Sequence, residues 1–81
     1  MNYEDGRSIE LGDVITIDVQ YRGTIVGIIE RELYQAPHTH SQWGYLRSGL
    51  IVDTDFGGVV HYPSIEALID ENVGLVSRSD Q

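Results

Sequence analysis

From Gly12 to Tyr34 the chain reads GDVITIDVQYRGTIVGIIERELY, and its apolar positions alternate before they run together. Ile15, Ile17 and Val19 fall on one parity and Thr16, Asp18 and Gln20 on the other, the period-two pattern of a strand with one buried face. Arg22-Gly23 is the expected turn, because glycine accepts the positive φ of tight hairpins. The second arm, Thr24 to Tyr34, opens on Ile25-Val26-Gly27-Ile28-Ile29, with Gly27 as the place where a strand bulges, bends or lets another backbone approach. Glu30, Arg31 and Glu32 read as solvated. A hairpin of this length is not stable alone in water, so the other segments must cover its apolar face.

Ahead of it, residues 1–8 are polar and read as a loosely ordered tail, with the core starting near Ile9. Gly12-Asp13 marks a turn into the first strand, and Leu11 and Val14 are expected to face the core. Gln35 to Gln42 carries Pro37 and no apolar period and reads as a loop. Trp43 to Asp53 reads as a third strand, with Leu46, Leu50 and Val52 on one parity and Tyr45, Arg47 and Ile51 on the other. The turn formers Asp53-Thr54-Asp55-Phe56-Gly57-Gly58 reverse the chain into a fourth strand, Val59 to Tyr62. Pro63 ends that strand. Ser64 can cap a helix of about two turns, with Ile65, Leu68 and Ile69 on one face and Glu66 in the first turn. Asn72 or Gly74 stops it, Val73 to Ser77 forms a last short strand, and 78–81 is a second polar tail.

The pattern predicts a mainly β protein, one domain over residues 1–81, built as hairpin, loop, hairpin, short helix and last strand. That order resembles the SH3-like small barrel, whose five antiparallel strands carry a helical turn before the fifth. Leu11-Gly12-Asp13-Val14 and Tyr21-Arg22-Gly23-Thr24-Ile25-Val26-Gly27 are similar to the strand openings of KOW-type members of that group. The alternative is an antiparallel meander with the helix packed on one face. KOW modules that grip RNA are basic, and this chain departs from them in charge. The resemblance therefore implies the fold, not nucleic-acid binding.

Thirteen acidic residues against five arginines and no lysine give a formal charge of −8. Such a field repels phosphate backbones, so DNA and RNA are not expected as direct ligands. An acidic surface either serves solubility or meets a basic protein. With no cysteine there is no disulfide, thiolate zinc site or cysteine nucleophile. No apolar run approaches a membrane span and the N-terminal residues have no apolar signal core, so a cytoplasmic protein is the expectation.

Candidate chemistry is sparse. His38 and His40 have H-x-H spacing and could chelate a metal with His61, Asp53 or Asp55, but spacing fixes no third ligand, and histidines of a solvated loop are the preferred reading. Asp53-x-Asp55 starts like a calcium loop but has Gly57 where an oxygen ligand is required and Ser64 where a bidentate glutamate is. Ser41 or Ser48 with His61 lacks a nucleophile elbow, and so small a domain leaves little room for a carboxylate-lined cleft. The expectation is a non-enzyme without metal or cofactor.

The aromatic residues point elsewhere. Tyr34, Trp43 and Tyr45 flank the histidine loop and Arg47 follows on the parity of Tyr45, so Tyr34, His38, His40, Trp43, Tyr45 and Arg47 form the candidate binding edge. Trp, Tyr and Arg dominate interface hot spots. Equally, Trp43 could be the core plug. The functional expectation is an acidic protein-interaction module, in the specific form a small inhibitor or immunity-type protein of the kind phages and mobile elements encode, with a protein or a second copy as partner. The alternatives are capture of a nucleotide-like ligand by converging arginines in an oligomer, and a structural part of a larger assembly.

Overall fold

The computed structural model describes residues 2–3, 6–35 and 39–77. Among them an antiparallel sheet of six strands is accompanied by short helical segments. The strands are β1 (Val14–Ile17), β2 (Tyr21–Ile28), β3 (Leu33–Tyr34), β4 (Leu50–Thr54), β5 (Gly58–Tyr62) and β6 (Gly74–Ser77). Helices α1 (His40–Trp43) and α2 (Ile65–Ile69) and the 3-10 turns Ile29–Arg31 and Gly44–Leu46 complete the chain. The order across the sheet is β5-β4-β2-β1-β6, with β3 attached to the far end of β2. The sheet is not closed, and β5 and β6 end the path.

The first hairpin turns earlier than its sequence suggests. Ile17 pairs with Tyr21 and Thr16 with Arg22, so Arg22-Gly23 lies within β2 and the turn is Asp18-Val19-Gln20. Asp18 and Val19 both have positive φ, 53° and 69°, the sense that matches the twist of a hairpin. Gln20 donates its N–H to the Asp18 carbonyl at 2.7 Å. Val19 therefore leaves the buried parity of Ile15 and Ile17 and stands 74 % exposed. The opposite face of β1 belongs to Val14 and Thr16, which are only half-buried, so Val14 does not join the core.

Gly27 behaves as its position predicts. The register of β2 against β4 shifts between Ile25 and Gly27, a bulge at Val26 that bends the strand. A Cβ on Gly27 would stand 3.1 Å from side-chain atoms of both Ile51 and Tyr34, so the missing side chain lets these two close over the strand. The bend gives the sheet two buried faces. On one, Ile15, Ile17, Ile25, Ile28, Leu50, Val52, Tyr62 and Leu68 form the main core, joined by Ile9 and by Tyr3, which precedes the expected start of the core. Burying each such aliphatic side chain is worth about 1.5–3 kcal/mol. On the other, Val26, Ile29 and Ile51 are covered by Tyr34, Trp43 and Leu46.

The cover is the main departure from the expected order. The stretch 43–49 is not extended: α1 and the second 3-10 turn occupy 40–46, and the third long strand begins only at Leu50. Gly49 makes the junction at φ +105°, where a Cβ would fall 2.1 Å from the Tyr62 carbonyl oxygen. The Glu30 carboxylate accepts the Gly49 N–H at 2.8 Å and ties the crossover down.

The rest follows the pattern. β4 and β5 form the second hairpin, in which the Thr54 hydroxyl donates to the Gly58 carbonyl at 2.7 Å and accepts the Gly57 N–H at 3.1 Å. Ser64 caps α2 by accepting the Ala67 N–H at 3.3 Å, and Leu68 is fully buried. α2 ends at Ile69 with Asp70 as its C-cap, earlier than Asn72 or Gly74, and Asn72, at φ 59°, lies in the turn that leads to β6.

Candidate functional site

The described residues of the expected binding edge differ in exposure. Tyr34, on β3, and Trp43, on α1, are half-buried over Val26, Ile29 and Ile51. Trp43 is thus the plug of the smaller apolar cluster. Burial, and next the charge of Glu32, raises the Tyr34 phenol above its ordinary range. Tyr45 is 74 % exposed, and Arg47 is exposed with φ 70° directly after the 3-10 turn, so the strand parity expected to align the two does not exist. His38 lies outside the described residues, and His40 begins α1.

Among the described residues the candidate groups His61 and Ser48 are held by backbone carbonyls. His61 Nε2 donates to the Ser48 carbonyl at 2.9 Å, which sets the tautomer and occupies that nitrogen. The Ser48 hydroxyl donates to the Pro63 carbonyl at 3.4 Å, so serine and histidine are neighbours through the backbone and not as a base and nucleophile. Among the described residues no three of His, Cys, Asp and Glu gather as a metal site. The Asp53–Gly58 turn is held by Thr54, as a hairpin turn requires.

A second region has no counterpart in the sequence expectations. At the end of β2 remote from the crossover, the 18–20 turn and the β4–β5 turn come together. Asp55 donates its N–H to the Arg22 carbonyl at 2.9 Å, and the Tyr21 and Phe56 rings lie 4.9 Å apart, tilted by 57°. Tyr21 is 39 % and Phe56 48 % exposed, and with Val19 they concentrate apolar surface at the turn tip. Beside them an open groove of about 270 Å³ runs over the uncovered part of the sheet, lined by Val14, Arg22, Gly23, Thr24, Asp53, Thr54 and Asp55. The turn after α2 reaches the same corner, where the Glu71 carbonyl accepts the Asp18 N–H at 2.7 Å. Asp18 and Glu71 are joined by that bond, Asp53 and Asp55 line the groove with Arg22, and Asp18, Asp53, Asp55, Asp70 and Glu71 are all exposed.

The signal that could have exposed this site is Phe56. It is the only phenylalanine, and it sits in a run of turn formers from which no interior is within reach. Among the described residues no helix is long and apolar enough to cross a membrane. Compared with protein-family models, with curated proteins and with solved structures, the chain matches none.

Proposed function

We propose that this chain is a non-enzymatic, acidic protein-interaction module on an SH3-like small β scaffold. The observation that carries the reading is that exposed aromatic and aliphatic side chains gather at one corner of an acidic surface, while His61 and Ser48 are held by backbone carbonyls. Large apolar side chains grouped in the open mark contact surfaces more often than chance exposure does. The scaffold part of the reading is supported by the strand path, in which the last strand lies beside the first and α2 precedes it. A bulged β2 that pairs with β1 at one end and β3 at the other suits such a barrel.

Ligand capture by converging arginines is less well supported. Arg22 lies at the turn tip, whereas Arg31 and Arg47 belong to the crossover at the other end of β2. An inhibitor or immunity-type role is the specific form of the proposal that acidity favours, because an acidic surface can occupy a basic site on an enzyme. Native mass spectrometry of the protein purified from its own host without denaturation is the test. A stoichiometric complex with a protein that dissociates at raised salt supports the module; a retained small-molecule adduct without a protein partner overturns it.

A further inference from the structure

Resting on that reading, we infer that the docking surface is the turn tip of Val19, Tyr21 and Phe56, and that its occupant is a basic segment of a partner protein in which arginine or lysine flanks an apolar side chain. Three features of the tip converge on this chemistry.

First, the apolar surface there has a fixed shape. Tyr21 and Phe56 hold each other at 4.9 Å on neighbouring turns, and the turns themselves are joined through the Asp55 N–H and the Arg22 carbonyl. A preformed aromatic pair loses little conformational freedom when it is covered. Second, Val19 is a β-branched residue held at φ 69° with its side chain in solvent. Folding gains no burial from that side chain and bears the cost of a backbone region that valine avoids. A role outside the chain's own core accounts for its placement. Third, the rim is acidic. Asp53 and Asp55 line the groove with Arg22, Asp18 is bonded to the Glu71 carbonyl, and all of these carboxylates, with Asp70, are exposed.

The charge selects among occupants. Two tips of the same chain brought face to face would oppose carboxylate to carboxylate, which disfavours a second copy at this surface. Phosphate-bearing surfaces, whether nucleic acid or anionic lipid, meet the same repulsion. A cationic segment gains from the rim and can also lay a guanidinium on an exposed ring face. The groove beside Arg22, walled by Asp53 and Asp55, gives such a side chain a place to extend.

The test is a nuclear magnetic resonance titration of the full, isotope-labelled chain with two synthetic peptides, one alternating leucine with arginine and one alternating leucine with glutamate. The expected result is a set of saturable shifts confined to residues 18–22, 53–58 and 70–72 with the arginine peptide and none with the glutamate peptide. Phe56→Ser should weaken the arginine peptide by roughly tenfold, as removal of a central contact does, with the melting temperature of the variant nearly unchanged. A second variant, Asp18→Asn with Asp55→Asn, should weaken it more at low salt than at high salt. Shifts on Tyr45 and Arg47 instead of the tip overturn this assignment but leave the interaction module standing. Binding that ignores Phe56 and spreads over every exposed carboxylate overturns it as well. Absence of binding by either peptide rejects the tip as a basic-segment site, and the native mass measurement then decides separately whether the chain binds proteins at all.

Discussion

The two ends of β2 carry aromatic side chains under opposite conditions. At the crossover end, Tyr34 and Trp43 lie over Val26, Ile29 and Ile51, and the bulge at Val26 and the missing side chain of Gly27 let Tyr34 and Ile51 close over the strand. At the tip end, the Tyr21 and Phe56 rings pack together with a large part of each left in solvent, near a valine held outward at positive φ. The same residue types thus close a small core in one place and leave a surface open in the other. What separates them is chain length between strands. The crossover has some twenty residues to fold back over the sheet, whereas each tip turn has three and can only project.

The contrast can be broken most severely at Gly49. Gly49→Ala puts a methyl group against the Tyr62 carbonyl at a positive φ, and with backbone on both sides no side chain can yield. We expect a loss of more than about 3 kcal/mol, enough to unfold much of so small a domain, read by circular dichroism. Next comes Trp43→Ala, which uncovers Ile51 and Val26. A half-buried ring should cost about 2 kcal/mol in urea denaturation, below the 3–5 of a fully buried one, while Tyr45→Ala should stay within about 0.5 kcal/mol. If Trp43→Ala is as neutral as Tyr45→Ala, the cover contributes no stability and the contrast fails.

At the tip the expected signs reverse. Val19→Gly removes a β-branched residue from left-handed backbone and should raise stability by about 1 kcal/mol, since that strain is worth about 1–2 kcal/mol and glycine returns part of it as chain entropy; a drop would mean that Val19 packs in the folded protein. The smallest effect at neutral pH concerns tyrosine ionisation. Burial, with Glu71 second, raises the Tyr62 phenol above 10.0, as burial and Glu32 do for Tyr34. The folded chain then holds protons that the unfolded chain releases. Stability is complete below pH 10 and declines as pH rises through the raised values. Tyr62→Phe should flatten that decline in thermal melts between pH 9 and 11.

How far the sequence reveals this arrangement depends on where local signals agree with the surroundings. Ser64, Leu68 and the Asp53–Gly58 turn read correctly because cap, helix face and hairpin chemistry are each satisfied within a few residues. Gly27 reads correctly because a glycine in a strand has few other uses. The first turn misleads because Arg22-Gly23 offers the better glycine signal, while the register is set by pairing with β4 on the far side, where Gly23 meets Thr54. A Cβ on Gly23 would fall 2.6 Å from Val52, so that glycine serves packing and not turning. Once the register moves, Val19 leaves the core and Tyr21 comes to the end of the sheet. The crossover misleads for a related reason. Tyr45 and Arg47 share a parity only if 43–49 is extended, and the pull of Ile51 and Val26 on Trp43 curls that stretch into helical turns.

Asp13 also escapes a sequence reading, since a Gly-Asp pair suggests an exposed turn. Its carboxylate is fully buried, accepting the Tyr3 hydroxyl at 2.6 Å and the Glu10 N–H at 3.0 Å, with Oδ1 left without a protein partner. The Tyr3 contact ties the N-terminal residues onto the sheet beside the turn that starts β1.

The pairing of β1 with β6 governs how the chain reaches this state in time. Thr16 donates its hydroxyl to the Gly74 carbonyl across a sequence separation of 58, and Ile15 is flanked by Leu75 only when that distance has been closed. The hairpins can form early from neighbouring residues, but the edge of β1 stays unpaired until β6 arrives. Folding should therefore be limited by one late, long-range closure, slow for a domain of this size. During synthesis the nascent protein would expose a strand edge to its neighbours until Gly74–Ser77 leaves the ribosome.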